Sequence, residues 1–192
     1  MSLLERARDR HGLTPAEWLA GAVPRDPPGP VTRIDPLSVP IPHGNKSLGS
    51  ALLEMWPPSA DDLDGLFGEL RRVLRPTGTL VALVPSRPRF SPRWWSVHRA
   101  AGGRPRFRNE SATDRLGWLF TAADFAVLLD QRRVFRLALA DASGVVDDLV
   151  ASGFWPSDVA AERLAGAAGA FARLAGADRS LGVPLRLVVG RR

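Results

Sequence analysis

The stretch Asp61–Pro85, DDLDGLFGELRRVLRPTGTLVALVP, leaves this chain few architectures to choose from. Leu63, Leu66, Phe67, Leu70, Val73 and Leu74 recur at three- and four-residue steps, so they share one helical face, with Asp and Arg opposite. Ser59 is placed to cap the start, with Asp62 three residues on. Acidic residues fill the first turn, Arg71, Arg72 and Arg75 fill the last, and Pro76 and Gly78 end the helix. Thr79–Val84 then runs apolar without alternation, as a strand covered on both faces does. A helix, a tight turn and a doubly buried strand make the helix–strand half of a βαβ unit.

The rest of the chain fits around that half. Ser2–Glu5 and Thr14–Glu17 are capping-box patterns that open two short helices, the second with Pro15 at its first position. Pro24–Pro30 (PRDPPGP) is a stiff connector. Val31–Ile34 is a short strand, and Asp35–Asn45, with three prolines, an extended surface crossing. Leu48–Trp56 suits a strand or a helix by pattern alone. Ser86–Arg108 reads as a loop around a short helix near Trp94–Ala101. Beyond it the pattern predicts a helix from the Thr121–Asp124 capping box to about Asp130 and a strand over 133–140. A helix starting near Ser143, an Ala-rich helix over 157–175 and a last strand over 183–189 follow.

Size and composition bound the reading. A chain of 192 residues makes one domain, able to bury roughly 70% of its unfolded surface: helices over 1–23, a linker over 24–30 and an α/β core over 31–192. Without cysteine it has no disulfide framework and no thiolate zinc site, so a reducing cytoplasm is the expected location. No basic-then-apolar leader opens it and no apolar run reaches membrane-span length, which excludes a membrane partner. Charge is concentrated: residues 70–109 hold ten Arg and no acid, against a net charge of +6 for the whole chain.

Glu69–Gly78 (ELRRVLRPTG) resembles the E-x-x-R-V-L-[RK]-P-G-G signature before the fifth strand of class I S-adenosylmethionine-dependent methyltransferases, with Thr77 where the family usually has Gly. Asp35–Leu48 is similar to the family's segment leading into strand four, and this tips Gly49–Glu54 to a strand. The resemblance implies a three-layer α/β, Rossmann-like fold, mostly parallel, with an antiparallel C-terminal strand pair. It also implies a cofactor lying across the carboxyl ends of the early strands, on a Gly-rich turn and a ribose-binding acid. Neither motif is present, nor any strand before Val31 to carry them, and Gly49 stands where the family commonly has Asp.

Asp35 alone matches the adenine-side acid. The implied protein is therefore a truncated, degenerate member, a pseudoenzyme with lost or weakened cofactor binding. S-adenosylmethionine is then a possible ligand, but not one expected to bind this chain alone. An unorthodox cofactor loop at Arg25–Gly29 is the competing view. Without the early strands, strand four has an open edge unless Val31–Ile34 moves beside it. A homodimer or heteromer through the 48–55 side is the expected partnership.

The alternative function is an active small-molecule methyltransferase whose abbreviated pocket a partner completes. Glu54, at the end of strand four, and His98 are the candidate catalytic groups, each equally readable as an ordinary exposed or loop side chain. Arg87, Arg89, Phe90, Trp94 and Trp95 form the candidate substrate or partner loop. The seven Arg of 86–108, interleaved with aromatics, also suit a basic nucleic-acid-binding module, the third reading. Against it stands a loop whose Trp anchor the core while its Arg stay hydrated. His11, His43 and His98 show no metal-ligand spacing.

Overall fold

In a computed structural model of the chain, residues 3–35, 40–88, 91–139, 144–176 and 179–192 are described, Leu3 and Leu4 by backbone alone. The helices are α1 (Leu3–Arg6), α2 (Pro15–Ala20), α3 (Leu63–Val73), α4 (Pro92–Ala100), α5 (Ser111–Asp114), α6 (Leu116–Ala122), α7 (Val145–Ala151) and α8 (Ala161–Leu174). The strands are β1 (Val31–Arg33), β2 (Leu48–Glu54), β3 (Leu74–Pro85), β4 (Ala126–Ala138) and β5 (Ser180–Arg191). They form one mixed sheet in the order β1-β2-β3-β5-β4.

β1, β2 and β3 are parallel, with Val31 opposite Ser50 and Ala51 opposite Leu80. Thr77 and Gly78 exchange backbone hydrogen bonds with Arg192, whereas Ser86 donates to Pro184, so β5 runs antiparallel to β3. Leu139 donates to Arg179 while Asp130 meets Arg186, which makes β4 antiparallel to β5 as well. The fold is thus α/β with an antiparallel pair at its C-terminal edge. β1 does stand beside β2, so the edge expected to lie open at 48–55 is paired on both sides.

Backbone contacts divide the chain into two compact units, Met1–Ala16, Pro85–Phe107 and Arg133–Leu185 in the first and Glu17–Val84, Arg108–Arg132 and Arg186–Arg192 in the second. In the second, the apolar face of α3 (Leu66, Phe67, Leu70, Val73) packs with Leu80, Ala82 and Val84 of β3 and with Phe120 and Phe125. The Phe67 and Phe120 rings meet edge to face at 5.7 Å. In the first, Trp94 is the centre of an aromatic cluster with Phe154, Trp155 and Phe171, at centroid distances of 5.6, 6.4 and 6.3 Å.

Several boundaries differ from the sequence expectation, each for a local reason. The cap of α3 is Asp62, not Ser59: its Oδ1 accepts from the Gly65 N–H at 2.8 Å. The helix ends at Val73, and what read as a Pro-Gly turn is a bulge inside β3. Leu48 pairs with Leu74 but Ser50 pairs with Thr79, so Arg75–Gly78 loop out, with Thr77 at φ 68°. The helix expected over 121–130 is absent. The chain turns at Asp124 (φ 58°) and enters β4, because the unbroken apolar run Phe125–Leu129 carries no period that separates a helix from a strand. The 35–45 segment is not wholly a surface crossing either, since Ile41 is buried in the second unit's core.

Candidate functional site

Parallel strands bring their carboxyl ends together, and an open α/β sheet takes ligands there, where the order of strands reverses. Here β1, β2 and β3 follow one another across the sheet in sequence order, without a reversal. Beyond β1, the Ile34 N–H donates to Leu52 O at 2.9 Å. The Ile34 carbonyl in turn accepts from Trp56 Nε1 at 3.1 Å. Met55, buried with φ 68°, supplies the sharp bend that carries the chain from β2 into Trp56, and its N–H is held by Leu83 O.

Two candidate site residues sit at this end. Glu54 Oε2 lies 2.5 Å from Arg33 Nη1, the carboxylate side chain only 11% exposed. That carboxylate is ion-paired with Arg33. Asp35 stands two residues beyond the end of β1 and is exposed.

The opposite, amino end of β2 is closed by backbone. Gly49 and Ser50 both donate to Pro30 O, at 2.9 and 3.1 Å. A Cβ on Gly49 would fall 2.3 Å from Gly29 N, so this position takes no side chain, acidic or otherwise, while Gly29 stays in place. Arg75 straps the connector down, with Nη1 donating to Pro28 O at 2.6 Å. Pro28 and Gly29, the last residues of the competing cofactor loop, therefore pack at the end of β2 away from Glu54.

The remaining candidates lie in the first unit, Trp94, Trp95 and His98 on α4 and Arg87 before it. Ser91 caps α4, and Trp94 is 2% exposed, its Nε1 donating to Gly182 O at 2.6 Å. Trp94 is thus a core anchor. Trp95 is 57% exposed with the Arg99 guanidinium 5.2 Å over its ring. Arg87 is exposed, and Arg89 and Phe90 lie outside the described residues.

His98 stacks on Trp94 at 5.2 Å. Burial, helped by the Arg104 charge, pushes its imidazole from 6.5 down to about 4. It stays neutral at neutral pH, yet is too weakly basic to serve well as a general base there. Asp35 and Glu54 belong to the second unit and His98 to the first. Among the described residues, no group of three or more His, Asp or Glu is placed to hold a metal ion.

Two arginines that shape these places were not singled out from sequence, Arg33 on Glu54 and Arg163, which binds Ala101 O and Gly103 O, while Arg75, expected in the last turn of α3, lies beyond it and holds the connector instead. For Arg33 a signal existed only in the register, which puts it level with Leu52 and hence within reach of Glu54.

No protein-family model matches the chain, and no curated protein matches it. Solved structures do. The YcgJ protein of Bacillus subtilis is similar at a TM-score of 0.49 and 14% identity, over 79% of this chain and 67% of its own. BH2331 of Bacillus halodurans C-125, a candidate methyltransferase, is similar at 0.46 and 12%, over 79% and 72%. Geranyl diphosphate C-methyltransferase of Streptomyces coelicolor A3(2), solved with Mg2+, geranyl diphosphate and S-adenosyl-L-homocysteine, is similar at 0.37 and 10%, over 79% and 48%.

Methyltransferases stand among the neighbours. All three scores fall below 0.5, so the functional reading rests on this chain's own geometry. No helix among the described residues is long and apolar enough to cross a membrane.

Proposed function

We propose that this chain is a methyltransferase-like α/β protein that has lost, or keeps only weakly, the S-adenosylmethionine site, and that it acts by association. The observation that carries this reading is the Trp56 indole on the Ile34 carbonyl. A nucleoside cradle at that end of the sheet needs backbone N–H groups presented by a glycine turn and a carboxylate open to the ribose. Here the end of β1 is tied to an indole, and the adjoining carboxylate, Glu54, is tied to Arg33. On this reading the residues present do not fit the cofactor.

Titration calorimetry with S-adenosylmethionine tests the reading. The expected result is no saturable heat below about 1 mM, a binding free energy weaker than roughly −4 kcal/mol. Micromolar affinity that disappears in Asp35→Ala would overturn it, and would support an active small-molecule methyltransferase whose pocket a partner completes.

Association on the strand 48–55 side has to use the edge of β1, because β2 is paired on both sides. That edge is three residues long, with Val31 42% exposed. Light scattering at micromolar concentration is expected to give a mass above 20.8 kDa. A monomer mass would remove the homo-oligomeric part of the proposal and leave the calorimetric part standing.

A further inference from the structure

The first unit carries a basic cleft that the reading above does not use. It has a volume of about 470 Å³ and is lined by Arg104, Arg106 and Arg163, together with Asp158 and the Gly102–Gly103 backbone. The glycine pair creates it. Gly102 (φ 67°) and Gly103 (φ 120°) adopt conformations that side chains resist, while their N–H groups close the end of α4 on Arg99 O and His98 O. The chain then runs through Arg104-Pro105-Arg106-Phe107, where Pro105 and Phe107 are buried. Arg104 and Arg106 both line the cleft.

The third guanidinium comes from α8 and is fixed. Arg163 donates from Nε to Ala101 O at 2.8 Å and from Nη2 to Gly103 O at 3.0 Å. Gly166 lets α8 press on the end of α4, since a Cβ there would fall 2.2 Å from Ala100 O. One wall of the cleft is therefore pre-organised, at no further ordering cost to a ligand. Three arginines and one acidic residue, Asp158, line the cleft.

We propose that this cleft binds a small molecule carrying a diphosphate or triphosphate, its oxyanions held by Arg104, Arg106 and Arg163. A diphosphate or triphosphate presents several adjacent oxyanions to arginines gathered on one cleft, which a single carboxylate does not. The volume falls in the range of small-molecule sites and leaves room beyond the phosphates for a group of nucleoside size.

Inorganic tripolyphosphate, titrated into the full chain and followed by NMR of the histidine rings, tests this directly. His98 is a built-in reporter, because the Arg104 charge helps to hold its midpoint near 4. Tripolyphosphate bound at Arg104 is expected to raise that midpoint by about half a unit or more. Arg106→Glu, at an exposed position that the fold tolerates, is expected to weaken binding at least tenfold.

Adenosine diphosphate is expected to bind the same cleft with the same dependence on Arg106. Absent binding, saturable binding that leaves His98 unmoved, or affinity unchanged in Arg106→Glu would each overturn the proposal. So would a single-stranded oligonucleotide that displaces tripolyphosphate and binds more tightly than both small probes, since the cleft would then belong to a nucleic-acid surface.

Discussion

Single residues show most plainly what the motif in this chain is for. Glu69 and Arg72, the E and R of the methyltransferase-like signature, form a forked pair with two contacts of 2.7 Å. Together they grip the 41–45 segment. Glu69 accepts from the Ile41 N–H, and Arg72 donates to Ile41 O, His43 O and Asn45 Oδ1. The Arg72 hydrogen bond holds the Glu69 carboxyl below its usual range, against the opposing effect of burial. Thr77 stands where the signature usually has Gly, and at φ 68° it occupies the left-handed region that a β-branched side chain resists. Thr77→Gly is expected to stabilise the fold by about 1 kcal/mol, the relieved strain outweighing glycine's extra unfolded entropy. The urea midpoint checks it, and a lower midpoint would show that the threonine side chain makes a compensating contact. The motif was legible as letters. The segment it clamps was not, because the clamp joins residues nearly thirty apart.

Elements were legible where pattern and punctuation agree. α3 has one apolar face, an acidic start and a basic finish, and the strand after it is buried throughout its apolar run. α4 and α8 appeared near their expected places, since Ser91-Pro92 marks one start and an Ala-rich run favours the other. The 121–130 segment was misread because five consecutive apolar residues carry no period of their own, and a left-handed Asp124 is not visible in composition. The place of β1 was left open for a different reason. Three residues have almost no sequence signal, and their position is fixed by Pro30 O bonding to Gly49 and Ser50. Nor was the cleft foreseen: it needs Arg104 and Arg106 to meet an arginine almost sixty residues away, and a seven-Arg loop reads equally well as solvated charge.

At the scale of the whole molecule, acid exposes how the charges are held. His98 is neutral in the folded chain down to about 4, while its unfolded form takes a proton near 6.5. Its contribution is therefore complete above about 6.5 and is lost as pH falls toward 4. The loss is about 2 kcal/mol, discounted for partial solvent access. Asp9 and Glu69 act lower. Burial raises the Asp9 carboxyl, but the His11 and Leu13 N–H groups and Arg133 together bring it below its ordinary value. The stability these two acids confer is present above the usual carboxylate range and lost only as pH drops beneath it. Urea unfolding from pH 7 to 3 is expected to weaken in two stages, and His98→Phe, which keeps an aromatic ring beside Trp94, to abolish the first. An unchanged first stage would assign it to another group.

The boundary between the two compact units has a practical corollary. It crosses the chain five times, at 16/17 inside α2, at 107/108 between α4 and α5, and at 84/85, 132/133 and 185/186 within β3, β4 and β5. No pair of scissors applied to the gene can free either unit intact, because every excision leaves severed strands with bare amides. Dissection of this protein has to proceed by point change, never by truncation.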